Sequence, residues 1–255
     1  MKLENRSCTL LACIENKESV VSIVNSFLNE VFKTDNTYID TINDLKKFAD
    51  KELYMHVFEH IVIYLKCKSR FSDSDDKEMY NSLVRYYLDS NSYINEVVID
   101  KDSYYMFVTT TLRSVIKNGW LKDINKYVCE KTENHNEKLT YKFVCQKSFI
   151  TDLVKKLIVN KFNLTEIKQQ KESELTFILP KYIDIDDNDL KNPDNFGKIE
   201  SAFYNSCIDA ENIYNELLNK GLTYNMAKQL LPQCIKTELL ITGYKKDINK
   251  VLLHY

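Results

Sequence analysis

A proline set inside a long apolar run constrains this chain more than any other feature. The run is Ala227-Lys228-Gln229-Leu230-Leu231-Pro232-Gln233-Cys234-Ile235-Lys236-Thr237-Glu238-Leu239-Leu240-Ile241-Thr242-Gly243-Tyr244. Pro232 fixes its own φ and has no amide hydrogen to donate, so a helix passing through it must kink there. Lys236, Thr237, Glu238 and Thr242 then place polar groups beside Leu239, Leu240 and Ile241. Spacing predicts a helix over residues 226–241, capped by Thr223. Core packing alone does not call for so many polar groups in such a run.

Elsewhere the chain reads as ordinary globular sequence. Its 255 residues are 44% hydrophobic, enough to bury a substantial core. A formal net charge of −2 leaves no global footprint for nucleic acid or an anionic membrane. Only 4 Gly and 3 Pro argue against a loop-rich or low-complexity chain. The 7 cysteines form no C-x-x-C pair and no Cys/His metal spacing, and their odd, scattered distribution fits reduced thiols. No basic-then-apolar leader and no apolar run of about 18 residues is present, so a soluble, intracellular protein is expected.

Hydrophobic periodicity predicts a short strand over 8–14 and helices over 19–32 and 41–48. Residues 58–67, rich in β-branched and aromatic side chains, predict a strand. A polar loop is expected over 69–78, and its acidic 73–76 run lacks calcium-loop spacing. A strand over 104–110 leads into a helix over 112–116, with Gly119-Trp120 as its stop. Further on come a strand over 139–144, a helix over 149–162, a strand over 175–180, and an acidic loop over 184–194. A helix over 203–219 ends at Lys220-Gly221. Strands and helices mix without regular βαβ alternation, which predicts an α+β fold. No internal repeat or flexible linker breaks the chain. One domain over 1–255 is therefore expected.

Five ordered segments resemble the long form of the flavin-dependent thymidylate synthases. The terminal run is similar to that family's A-R-x-x-L-P-x-x-x-K-T-E-x-x-x-T-G signature. Residues 104–119 are similar to its Y-Y-I-T-T-N-x-R-x-I-x-E-N-G, and residues 174–180 to E-L-T-F-I-I-P; residues 58–65 and 138–144 complete the set. The resemblance implies a thymidylate synthase-like α+β fold, a sheet flanked by helices, with 66–137 as the elaborated insertion of the long form. It also implies a homotetramer with sites built from more than one subunit, FAD as cofactor, and methylation of dUMP with methylenetetrahydrofolate. In such chemistry the protein clamps phosphate and polarises carbonyl groups, tasks suited to the planar guanidinium fork.

Here this chain departs from the family's pattern. Aligned through Ile150-Thr151-Asp152-Leu153-Val154, the R-H-R signature falls on Lys155-Lys156-Leu157, and the motif serine on Thr165. The arginine that closes the signature falls on Ile167, that of A-R-x-x-L-P on Lys228, and that of F-F-x-L-R on Tyr255. Residues 149–171 contain no arginine at all. Each charge-assisted contact is worth about 1.5–3 kcal/mol, so losing several together weakens nucleotide binding by orders of magnitude. Glu59, Thr109, Thr110 and Arg113 match the family.

By resemblance, Thr165 stands at the motif serine position with no catalytic residue assigned, His56, Glu59, Lys155 and Lys156 at the flavin site, and Asp152, Asn163 and Lys228 at the nucleotide site. The bland alternatives are a backbone-satisfied His60 and a solvated helix face for Lys155 and Lys156. His56 and His60, at i and i+4, supply half a metal site, but no further ligand cluster accompanies them, so no metal is expected. The reading the sequence favours is an inactive homologue retained for assembly, with itself or with an active paralogue. Its rivals are an active FAD enzyme on dUMP and a sensor that binds a flavin or a dUMP-like nucleotide. No nucleic acid or membrane partner is expected.

Overall fold

The computed structural model describes residues 1–11, 19–32, 39–49, 52–68, 77, 96–100, 102–122, 124–156, 162–167, 175–183, 185–186, 188–253 and 255. The architecture is mixed α+β, with sheets flanked by helices, as the sequence predicted. The chain divides into two compact units. One comprises Met1–Thr9, Phe143–Ile158 and Glu166–Leu239; the other comprises Leu10–Lys142, Val159–Thr165 and Leu240–Tyr255.

In the second unit, α1 (Val20–Phe32) buries Val20, Ile23, Val24, Phe27, Leu28 and Val31, the i, i+3, i+4 stripe legible in the sequence. Its Ser19 hydroxyl accepts from the Ser22 amide at 3.2 Å and caps the first turn. Asn25 interrupts the buried stripe, and its amide exchanges two hydrogen bonds with the Ile39 backbone, at 2.8 and 2.9 Å. A polar residue is tolerated there because both of its polar atoms are satisfied. Thr41 caps α2 (Ile42–Ala49) by accepting from the Asp44 amide. Then follow α3 (Glu52–Phe58) and β3 (Val62–Lys68).

β3 pairs antiparallel with β5 (Tyr105–Thr111), which pairs with β4 (Glu96–Asp100) on its other side. Tyr104 enters β5 from the left-handed region, at φ 57°. β5 runs straight into α4 (Leu112–Lys117), which Gly119 ends at φ 73°.

In the first unit, β1 (Lys2–Glu4) pairs parallel with β8 (Thr176–Ile178). Over these strands lies a core of Leu3, Phe177, Leu179, Cys207, Tyr214 and Ile235. Burying a side chain the size of Phe177, which is 0% exposed, contributes about 2–3 kcal/mol. α5 (Lys147–Lys156) and the long α6 (Lys198–Asn219) belong to this unit, with α7 (Tyr224–Ala227) after the Gly221 turn. Four more strands form a sheet in the order β2 (Ser7–Leu11), β6 (Lys138–Gln146), β9 (Lys236–Tyr244), β7 (Phe162–Ile167). α8 (Lys245–Leu252) closes the described chain.

Several sequence expectations need correction. The helix predicted over 226–241 is instead α7, a 3-10 turn at Lys228–Leu230, and the strand β9. Leu231, the residue before Pro232, sits extended at φ −71°, ψ 142°, so the proline ends the helix rather than kinking it. Residues 58–60 are not strand: Phe58 closes α3, and β3 begins only at Val62. Of the helix predicted over 149–162, the stretch to Lys156 is helical, residues 157–161 lie outside the described residues, and Phe162 opens β7 instead. Within 184–194, 3-10 turns at Asp189–Lys191 and Pro193–Asn195 replace a plain loop. The polar loop expected over 69–78 lies outside the described residues except for Lys77.

Candidate functional site

A buried polar cluster in the second unit brings His60 together with Thr140, Thr165 and Thr242. Its centre is His60, 1% exposed, at the turn between α3 and β3. His60 Nδ1 lies 2.8 Å from the Thr242 hydroxyl, and Nε2 lies 2.8 Å from the Thr165 hydroxyl. Thr140 donates to the His60 carbonyl at 2.8 Å, and its oxygen is 2.7 Å from that of Thr242.

Proton counting fixes the directions. A hydroxyl has one hydrogen. Thr140 spends its own on the His60 carbonyl, so Thr242 must donate to Thr140. Thr242 then has none left for the ring, and Nδ1–H donates to it. Nε2 is therefore the acceptor, and Thr165 donates. The result is a one-way chain around a neutral imidazole in its Nδ1–H tautomer. Charging the ring would force Thr165 to turn its hydrogen away, towards the His56 carbonyl at a long 3.5 Å. Burial, and secondarily the nearby His56, push the His60 pKa down to about 3.

Around this centre the remaining groups are paired. Glu59 forms an ion pair with Arg113 of α4, both side chains about one-fifth exposed. Asn163 donates to the Glu59 carbonyl at 3.1 Å. Thr109 donates to the Asn136 carbonyl at 3.0 Å. Thus Glu59, Asn163 and Thr165, together with the His56 backbone, come to one place. The exposed Asp152 and the half-buried Lys228 lie in the first unit, where the Lys228 ammonium sits 5.7 Å from the centre of the Tyr224 ring. Lys155 and Lys156 stand in the last turn of α5, also in the first unit.

Thr140 and Thr242 are site residues that motif matching did not assign. Thr242 stood in the T-G pair of the terminal run; Thr140 had no signal beyond a small polar residue on a buried strand. A second polar group, also unassigned from sequence, joins Lys138, Glu96 and Tyr244. Lys138 is 3% exposed, with its ammonium 4.9 Å from the centre of the Tyr244 ring. Burial lowers the Lys138 pKa to about 8, opposed by Glu96. Burial, and then a hydrogen bond to Glu96, raise that of Tyr244.

The cluster around His60 does not fit FAD in its described part. Its one guanidinium is already neutralised by Glu59, and its central imidazole is uncharged, whereas a pyrophosphate needs spare positive donors. Among the described residues no group of three or more His, Cys, Asp or Glu is arranged to hold a metal ion, and no helix is long and apolar enough to cross a membrane.

Residues 123–246 match the family model described as thymidylate synthase complementing protein. The matched segment is a little under half of the chain. No curated protein matches it. Among solved structures, it is similar to the UMP/dUMP methylase PolB from Streptomyces cacaoi bound with 5-Br UMP, at 16% identity and a TM-score of 0.32, over 44% of this chain and 53% of that one. The same methylase bound with 5-Br dUMP is similar at 10% identity and a TM-score of 0.36, over 100% of this chain and 78% of that one. The chain thus spans about half the length of the first of these structures.

Proposed function

We propose that this chain is a divergent relative of the flavin-dependent thymidylate synthases that no longer makes dTMP and is retained for assembly, with itself or with an active paralogue. The observation that carries the reading is self-pairing at the Glu59–His60 cluster. Anion binding there would draw Arg113 off Glu59 and leave a half-buried carboxylate unpaired, a costly exchange. Leu157, Ile167 and Tyr255, standing where the resemblance puts arginines, supply no substitute charge. Assembly is supported by apolar side chains left outside on the helical part of the first unit: Ile199, Ile213, Met226 and Leu230 are each more than half exposed. Leu239 and Leu240 are not part of that surface, because they are buried in β9.

The test is dTMP formation from dUMP, methylenetetrahydrofolate, FAD and NADPH, beside rescue of a thymidine-requiring cell. We expect neither. Turnover above background in either assay overturns the reading. Leu157→Arg alone should not restore turnover, since several contacts are missing together.

A second reading, a sensor that still binds a flavin or a dUMP-like nucleotide, is favoured by the convergence of Glu59, Asn163 and Thr165 at one place. Submicromolar FAD affinity, weakened by Lys155→Ala, would select it.

A further inference from the structure

The first unit carries a strand with one side unpaired. β1 hydrogen-bonds to β8 and, among the described residues, to no other strand. Its register sets Lys2 beside Thr176, Leu3 beside Phe177 and Glu4 beside Ile178. The Lys2 amide donates to the Leu175 carbonyl at 2.8 Å, and the Glu4 carbonyl accepts from the Leu179 amide at 3.0 Å. Residues 2 and 4 thus turn their backbone groups to β8. Because a strand alternates, the Leu3 amide and carbonyl point to the opposite side.

That side opens on a cleft of about 780 Å³, lined by residues 1–7 and by Leu190, Pro193 and Tyr204. A strand edge bared along a cleft is a template for one more strand. Side-chain charge says which strand. Leu3 is buried in the unit's core, so Lys2 and Glu4, one residue to either side, face the other way. Their side chains, 59% and 24% exposed, bond to each other at 2.7 Å, and Glu4 also bonds to Lys236 at 3.0 Å. Like charges directly opposite each other destabilise a strand pair. An antiparallel strand centred on Leu3 therefore needs an acid opposite Lys2 and a base opposite Glu4. Read from its N-terminus, such a strand is base, any residue, acid. β1 itself, Lys2-Leu3-Glu4, has this order.

We propose that the free edge of β1 pairs antiparallel with β1 of a second copy, about a twofold axis at Leu3. The two Leu3 residues exchange both of their backbone hydrogen bonds, and each Lys2 faces Glu4 of the partner subunit. Glu4 is not orphaned when its own Lys2 reaches across, because Lys236 stays bonded to it and the opposite lysine arrives. The contact is isologous, so it closes at two copies and leaves no open edge on β1. It rests on the assembly reading and gives that reading an interface other than the exposed helical side chains.

The test uses the full chain, by light scattering and amide hydrogen exchange across a range of concentrations. In the wild type we expect the Leu3 amide to slow over the range where mass rises, while the Lys2 amide, already bonded to Leu175, is slow throughout. Lys2→Glu sets acid opposite acid, and Glu4→Lys sets base opposite base, so each alone should lower the mass about twofold. Mixed in equal amounts the two variants complement each other, and the mass should return to that of the wild type. Charges that act only within one chain give no such recovery. Two folded variants whose mixture stays as light as either one overturn the proposal. An oligomer whose mass neither variant changes also overturns it, and leaves assembly standing through another surface. A wild type that is monomeric throughout overturns both. Glu4→Lys gives up the Lys236 contact; where it fails to fold, exchange in the wild type decides, and a Leu3 amide with one exchange rate at every concentration overturns the pairing.

Discussion

Acid should destabilise this protein earlier than its carboxylates alone would dictate, through His60. An unfolded histidine titrates near 6.5, whereas burial holds folded His60 at about 3. Between those values the unfolded chain binds a proton that the native chain refuses, so stability falls as pH falls, by up to about 1.4 kcal/mol per pH unit. Integrated from pH 7.5 to pH 5, the loss from this one ring is about 2 kcal/mol. The carboxylates held low by their partners, Glu4 and Glu137 among them, add losses only at more acid pH. His135 is also lowered, mainly by burial, and acts in the same window, so the wild-type slope reports both rings. His60→Asn separates them. It keeps a donor near Thr242 and removes the titration, so urea midpoints converted to stabilities at pH 7.5, 6.5, 5.5 and 5 should show the variant's deficit shrinking towards acid by about 2 kcal/mol. An equal slope in both proteins refutes the closed hydrogen-bond chain. A ring titration near 6.5 in the folded wild type, seen by NMR, refutes it equally.

Other outcomes follow from neighbouring groups. Lys138, held at about 8, gives stability that rises with pH from about 8 towards 10, because there the unfolded chain keeps a proton the native chain has shed; above about 10 the trend should reverse, as unfolded tyrosines ionise while Tyr244 does not. Lys138→Met should flatten the rise, as measured by thermal midpoint against pH. Arg113→Met leaves Glu59 half-buried without its partner and should cost roughly 1–3 kcal/mol in urea unfolding; a change near zero removes the ion pair from the cluster's support. Light scattering should give a mass above that of a 30.1 kDa monomer, lowered by Ile213→Asp together with Leu230→Asp; a folded micromolar monomer rules out self-assembly.

Local pattern decided what the sequence made legible. α1 was readable because its apolar residues repeat at 3.6, and the Thr223 cap because its hydroxyl accepts from the Met226 amide at 3.4 Å, three residues on. β9 was not. Its Lys236–Tyr244 segment is buried at Thr237 and from Leu239 to Gly243, so neither alternation nor a helical stripe marks it as strand or helix. Pro232 held the missing information, through the extended Leu231 that a proline imposes on the residue before it. β7 was lost for a related reason, since Phe162 continues the apolar spacing of α5 and nothing in the residue types marks the change of element.

The candidate site was legible only where a motif named its residues. Glu59 and Thr165 were assigned by resemblance, yet their relation was not, because His60 meets Thr165 105 residues away and Thr242 182 residues away. No local signal encodes such a meeting. The hydroxyls gather around His60 because β6, β7 and β9 are neighbours in one sheet, each strand bringing one threonine, those of β7 and β9 to the ring and that of β6 to the carbonyl. A serine at 165 would offer Nε2 the same donor, because the hydroxyl is common to both residues. The buried ring requires that donor, whereas leucine at 157 and isoleucine at 167 supply no positive charge. Hydroxyls that satisfy a buried imidazole stabilise the fold itself and do not require a bound anion.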